Sequence, residues 1–121
     1  MSRWVAIFAL AFLACGGALL ENAQREFNAG QYADAKRTLD GMSDADYRAS
    51  DARTRTRYAL YRGLVMGALG DRSEARSWLG LAKGTEEQFP GSLTEDDRAR
   101  LKLAEDQYGP LPITAAPPPA P

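Results

Sequence analysis

The chain has 121 residues, 45% of them hydrophobic, and a formal charge of −1 from 15 basic and 16 acidic side chains. That balance lacks the basic excess of a nucleic-acid-binding surface, and the complete lack of His removes the commonest general base and the commonest metal ligand together. The composition therefore points away from nucleic acid, metal sites and catalysis, and leaves one small non-enzymatic domain for which no cofactor is implied.

Residues 1–20, MSRWVAIFALAFLACGGALL, carry one early charge, Arg3, and then an uncharged run of 17 residues from Trp4 to Leu20, closed by Glu21. Such a segment is a targeting or anchoring element before it is part of a fold. It holds the only cysteine, Cys15, which has no partner for a disulfide within the chain. The run around Cys15 is too uniformly apolar to be one face of a soluble helix. Ala11, Phe12, Leu13 and Ala14, directly before Cys15, resemble the bacterial lipobox, with apolar residues followed by a small one. The resemblance implies a lipoprotein: residues 1–14 a discarded signal peptide, Cys15 the acylated N-terminus, and 15–18 a short tether. With Gly16 rather than Asp after the cysteine, it implies a periplasm-facing protein sorted to the outer membrane. Several acyl chains together make a stable anchor. Two other readings stand beside it: an uncleaved anchor, because 17 residues lie at the lower edge of what crosses a bilayer core, and a cleaved secreted protein.

Between Leu19 and Gly109 no stretch alternates with period two, whereas apolar residues recur at three- and four-residue spacing. The predicted fold is all-α. Two segments match at a spacing of 40: NAGQYADAKRTLDGM at 28–42 and ALGDRSEARSWLGLA at 68–82. Gly30 and Gly70, Ala35 and Ala75, and Leu39 and Leu79 coincide, and Ala23 and Gly63 each stand seven residues before the turn Gly. Gly allows a left-handed turn, and a small residue on each facing helix lets two helices pack closely, so each copy predicts an antiparallel helical hairpin.

These positions resemble the tetratricopeptide repeat (TPR), carried by Ala23, Gly30, Tyr32, Ala35 and Leu39 in the first copy and Gly63, Gly70, Ala75, Leu79 and Ala82 in the second. The resemblance implies about two TPR-like hairpins over residues 19–109 with a C-terminal capping helix. A spacing of 40 exceeds the usual repeat of about 34. The surplus falls in SDADYRASDARTRT at 43–56, which either lengthens the next helix, with Ser43 or Ser50 as its cap, or forms a short loop.

If that helix is continuous, Arg48, Arg55 and Arg62 share one face, within about 40° of each other. Such a stripe is either a clamp for acidic groups or a solvated face balanced by Asp44, Asp46 and Asp51. Gly63 and Gly67 imitate a membrane-helix dimer motif, but their segment is too short to span and adjoins Arg62. In SLTEDDRARLKLAEDQYG at 92–109, Ser92 stands three before Glu95 as a capping box. Glu95, Asp96 and Asp97 place negative charge in a first helical turn, where it offsets the helix dipole. Residues 110–121 hold most of the seven prolines and no charge, which predicts a disordered, partly polyproline II tail.

In the repeat family the first helix of each hairpin lines a concave groove. The resemblance therefore assigns partner binding to Gln24 and Asn28 from the first copy and to Arg57 and Leu60 from the second, with Phe27 and Leu64 beside them. The function so implied is a membrane-tethered scaffold or assembly factor of the bacterial envelope that binds a protein or peptide. The alternative is a permanent accessory subunit of a membrane complex, held by an uncleaved N-terminal helix.

Overall fold

The structure is a computed structural model that describes residues 17–112. The signal segment, Cys15 and the tail from residue 113 onward lie outside the described residues. The described part is all-α: α1 (17–28), α2 (Tyr32–Asp40), α3 (Asp44–Ala49), α4 (Ala52–Ala68), α5 (Arg72–Gln88) and α6 (Glu95–Tyr108). Among the described residues, no helix is long and apolar enough to cross a membrane.

Both predicted hairpins form. Gly30 and Gly70 have φ of +77° and +91°, the left-handed region that a side chain disfavours. Each turn closes in the same way, with the N–H of Gln31 donating to the Glu26 carbonyl at 2.8 Å and that of Asp71 to the Met66 carbonyl at 2.9 Å. These are the six-to-one bonds of a glycine C-cap, which satisfy carbonyls the helix leaves open. The two helices of each hairpin bury the matched positions: Ala23, Ala35 and Leu39 in the first, Gly63, Ala75 and Leu79 in the second. Within the second hairpin the helices pack closely at Gly63, where a Cβ would lie 2.7 Å from Leu79 Cγ and 3.1 Å from the Ala75 carbonyl.

One core joins the hairpins, centred on Leu39, Tyr61, Val65, Leu79 and Leu81. Each aliphatic side chain taken from water contributes roughly 1.5–3 kcal/mol, and α4 collects most of this by packing against α2, α5 and α6. Tyr58 forms edge-to-face pairs with Tyr47 at 5.5 Å and Trp78 at 5.6 Å, so α3 and α5 both pack against the same α4 ring.

The 43–56 segment is neither an extension of α4 nor a plain loop. It makes a separate helix, α3, capped by Ser43, whose hydroxyl accepts from the Asp46 N–H at 3.1 Å. The chain then breaks at Ser50, and α4 starts afresh with Asp51 as its cap, accepting from the Thr54 N–H at 2.8 Å. The break takes Arg48 off the helix that bears Arg55 and Arg62, so the expected three-arginine stripe does not exist. Arg55 turns back onto the Ser50 carbonyl. Arg62 pairs with Asp40 at 2.7 Å and stacks over Trp78 at 5.4 Å, which makes it a tie between α2, α4 and α5.

Three boundaries differ from the sequence reading. Gly17 and Ala18, read as tether, already belong to α1, consistent with the high helix preference of Ala. The cap of α6 is Thr94, whose hydroxyl accepts from the Asp97 N–H at 3.1 Å. Ser92 instead donates to Glu86 at 2.7 Å, because that carboxylate gathers the whole α5–α6 turn, accepting also from the backbone N–H of Gly91 and Leu93. The tail, finally, is not free from residue 110: Leu111 is buried and Pro112 lies against α5.

Candidate functional site

Helices α1, α4 and α6 are joined along one face by polar links from Arg57 and Asp97. Arg57 of α4 donates through Nη2 to Gln24 Oε1 of α1 at 2.9 Å, while its Nε lies 3.6 Å from Asp97 Oδ2 of α6. The other carboxylate oxygen of Asp97 accepts from the Tyr61 hydroxyl at 2.6 Å. One arginine thus bridges three helices, and its side chain keeps 21% of its surface exposed. Phe27 completes the face from α1, packing on Tyr61 with ring centroids 6.2 Å apart and on Tyr32 at 5.5 Å.

Asp97 is the residue that the sequence reading undervalued. Its side chain is 4% exposed, far too deep to serve only the helix dipole, as Glu95 and Asp96 do. A buried carboxylate is costly unless it is paired and hydrogen-bonded, and Tyr61 and Arg57 supply both conditions. The effect is reciprocal: burial first, then the bond to Asp97, push the Tyr61 phenol well above its ordinary pKa, against the smaller opposing influence of Arg100 and Arg57. The signal was in the α6 periodicity. Leu101, Ala104 and Tyr108 mark the inward stripe, and one turn back along it stands Asp97.

Of the residues expected to bind a partner, Gln24 and Arg57 are brought together, and Asn28 is exposed one turn along α1. Leu60 does not belong with them: it is fully buried and serves the core. Its position on α4 points into the α4–α5 hairpin because the helix carries a broad apolar face there, Tyr58 to Tyr61 all being buried. Phe27 and Leu64 are half-buried at the edge of the same core. Arg100 joins the face from α6, where it is half-buried.

A second surface feature is an open cleft of about 270 Å³ between α5 and α6, with Leu101 on its floor. Its rims are bridged by Lys83 to Glu105 at 2.9 Å and Arg98 to Glu86 at 3.3 Å. The paired charges staple α6 to α5 and leave few free groups for a ligand. Among the described residues no cluster of acidic or thiol groups is placed to hold a metal ion.

No family model, curated protein or solved structure matches this chain. The geometry of the α1/α4/α6 face is therefore the basis for a functional reading.

Proposed function

We propose that the protein is a membrane-tethered, non-catalytic scaffold or assembly factor of the bacterial envelope, which holds a protein or peptide partner against the α1/α4/α6 face. The observation that carries this reading is Arg57, placed between Gln24, to which it donates, and Asp97, and still partly exposed on that face. A guanidinium fixed in advance loses little side-chain freedom when it meets an acceptor. Around it, Asn28, Arg100, Phe27 and Leu64 offer hydrogen bonds, positive charge and apolar surface within one patch, the mixed composition usual for protein recognition. The TPR-like pattern in the sequence supports the same face, since in that family the first helices line the groove.

The tether belongs to the same proposal. A lipid on Cys15 would join α1 at residue 17 with almost no linker, so the domain would sit close to its membrane and meet partners there. Mass spectrometry of the membrane fraction tests the tether: an N-terminal acylated Cys15 is expected, and an intact Met1 terminus would contradict it. Affinity purification of the detergent-solubilised full chain tests the face. Arg57→Glu, Asn28→Asp and Arg100→Glu should lose a partner that the wild type retains, whereas retention by all three variants overturns the assignment.

A further inference from the structure

Where the chain leaves α6, two arginines of α5 reach across to it. The Tyr108 carbonyl accepts from Arg72 Nη2 at 3.3 Å, and the Pro110 carbonyl accepts from Arg76 Nη2 at 2.6 Å. The Arg72 guanidinium also stacks over the Tyr108 ring at 5.5 Å. Beside these contacts lies an open cavity of about 490 Å³, lined by Arg72, Ser73, Arg76, Ser77 and Pro112.

The charge in this cavity is one-sided. Among the described residues, neither arginine lies within ion-pair distance of a carboxylate. The two acidic neighbours in sequence are engaged: Asp71 Oδ1 accepts from the Glu74 N–H at 3.1 Å, and Glu74 Oε2 accepts from Trp78 Nε1 at 3.0 Å. Each guanidinium gives one N–H to a backbone carbonyl, out of the five donors that an arginine carries. Arg76 is half-buried, and its Nε has no partner among the described residues. Burial of a charge is costly without a counter-charge, so the fold leaves this corner short of negative charge.

Spacing decides which anion fits. Residues four apart on a helix stand about 5–6 Å from each other, and Arg72 with Arg76 and Ser73 with Ser77 make two such pairs on neighbouring stripes. Two guanidinium forks and two hydroxyls so arranged suit a compact anion with three oxygens and two charges. A terminal phosphate group carries about −1.5 to −2 at neutral pH on three acceptor oxygens, and arginine meets it with two parallel N–H bonds. A carboxylate offers one charge and two oxygens.

We propose that this cavity binds a phosphate dianion, with Arg72 and Arg76 pairing with its charge and Ser73 and Ser77 donating from their hydroxyls. Inorganic phosphate and the terminal phosphate of a lipid present the same group.

The test is a pair of ¹H–¹⁵N titrations of the full chain in maltoside micelles at constant ionic strength, one with inorganic phosphate and one with short-chain phosphatidic acid, with chloride as control. Saturable shifts are expected at the Ser73 and Ser77 amides and the Arg72 and Arg76 Nε–H signals, and none at Asn28. Saturation at lower concentration by phosphatidic acid identifies a lipid source, and equal or tighter saturation by inorganic phosphate a soluble one. Arg76→Gln should weaken binding about tenfold or more, the loss of a hydrogen bond to a charged group. Ser73→Asp is the second variant: a carboxylate suits that first helical turn, leaves both arginine-to-carbonyl bonds in place, and should lower affinity as much by neutralising the cavity. Shifts that saturate with neither probe, that chloride reproduces, or that persist unchanged in either variant overturn the proposal.

Discussion

At the scale of single residues, the absence of a side chain and the pairing of a buried one decide most. Gly63 has no space for a Cβ beside Leu79 Cγ at 2.7 Å and the Ala75 carbonyl at 3.1 Å. Gly63→Ala gains up to about 1 kcal/mol of helix preference, but overpacking costs about 1–3 kcal/mol, so a net loss is expected in thermal or urea unfolding. Tyr61→Phe removes the hydroxyl that binds Asp97 at 2.6 Å. It should cost about 1–3 kcal/mol in urea denaturation, because a buried acceptor loses its donor. Both glycine turns and the small facing residues were legible in the sequence, since a backbone constraint leaves few residue choices. The Tyr61–Asp97 pair was not, because 36 residues separate the partners and nothing local couples them.

Glu86 gives a prediction in pH. Burial would raise its pKa, but the bonds from Ser92, Gly91 and Leu93, together with the Arg98 charge, prevail and hold it below its ordinary value of 4.5. A depressed carboxylate contributes stability that is full above its unfolded pKa and is lost as pH falls through the folded one. Wild type should therefore be more stable than Glu86→Gln at neutral pH, and the gap in melting temperature should close on acidification below pH 4.5. A gap independent of pH would contradict the assignment.

Among the elements, the least legible was α3. Its six residues are too few to show a hydrophobic period, and every one of them is compatible with a continuous helix into α4. The break comes from capping instead: Ser50 closes α3, its hydroxyl donating to the Asp46 carbonyl at 2.6 Å, and Asp51 starts α4 by accepting from the Thr54 N–H. Asp51→Ala should cost about 1 kcal/mol, the usual loss of a cap, in thermal unfolding, and Ser50→Ala, which caps no helix start, should cost less. The seating of Leu111 and Pro112 against the helices was illegible for a different reason. A Pro-rich composition shows what a segment cannot form, but not the surface it meets, and Arg76 and Gly80, which receive Pro110 and Pro112, are 32 or more residues upstream.

For the molecule as a whole, the repeat spacing and the all-helical period were readable because they concern patterns, whereas the proposed face emerges only when α1, α4 and α6 are set side by side. The sequence pointed to Gln24, Asn28 and Arg57 through the repeat resemblance. Leu60 was misplaced because periodicity cannot tell a groove-lining apolar residue from a core one, and Tyr61, Asp97 and Arg100 entered through packing. A scaffold reading makes the face asymmetric: partners should meet α1 and α4, not the outer side of α2. Site-specific photocrosslinking in intact membranes measures this directly, with the probe at Asn28 and, as a control, at Ala33, which is exposed on α2. A discrete protein adduct from Asn28 that is lost with Arg57→Glu, and none from Ala33, is expected; no adduct from Asn28, or equal adducts from both positions, would contradict the scaffold reading.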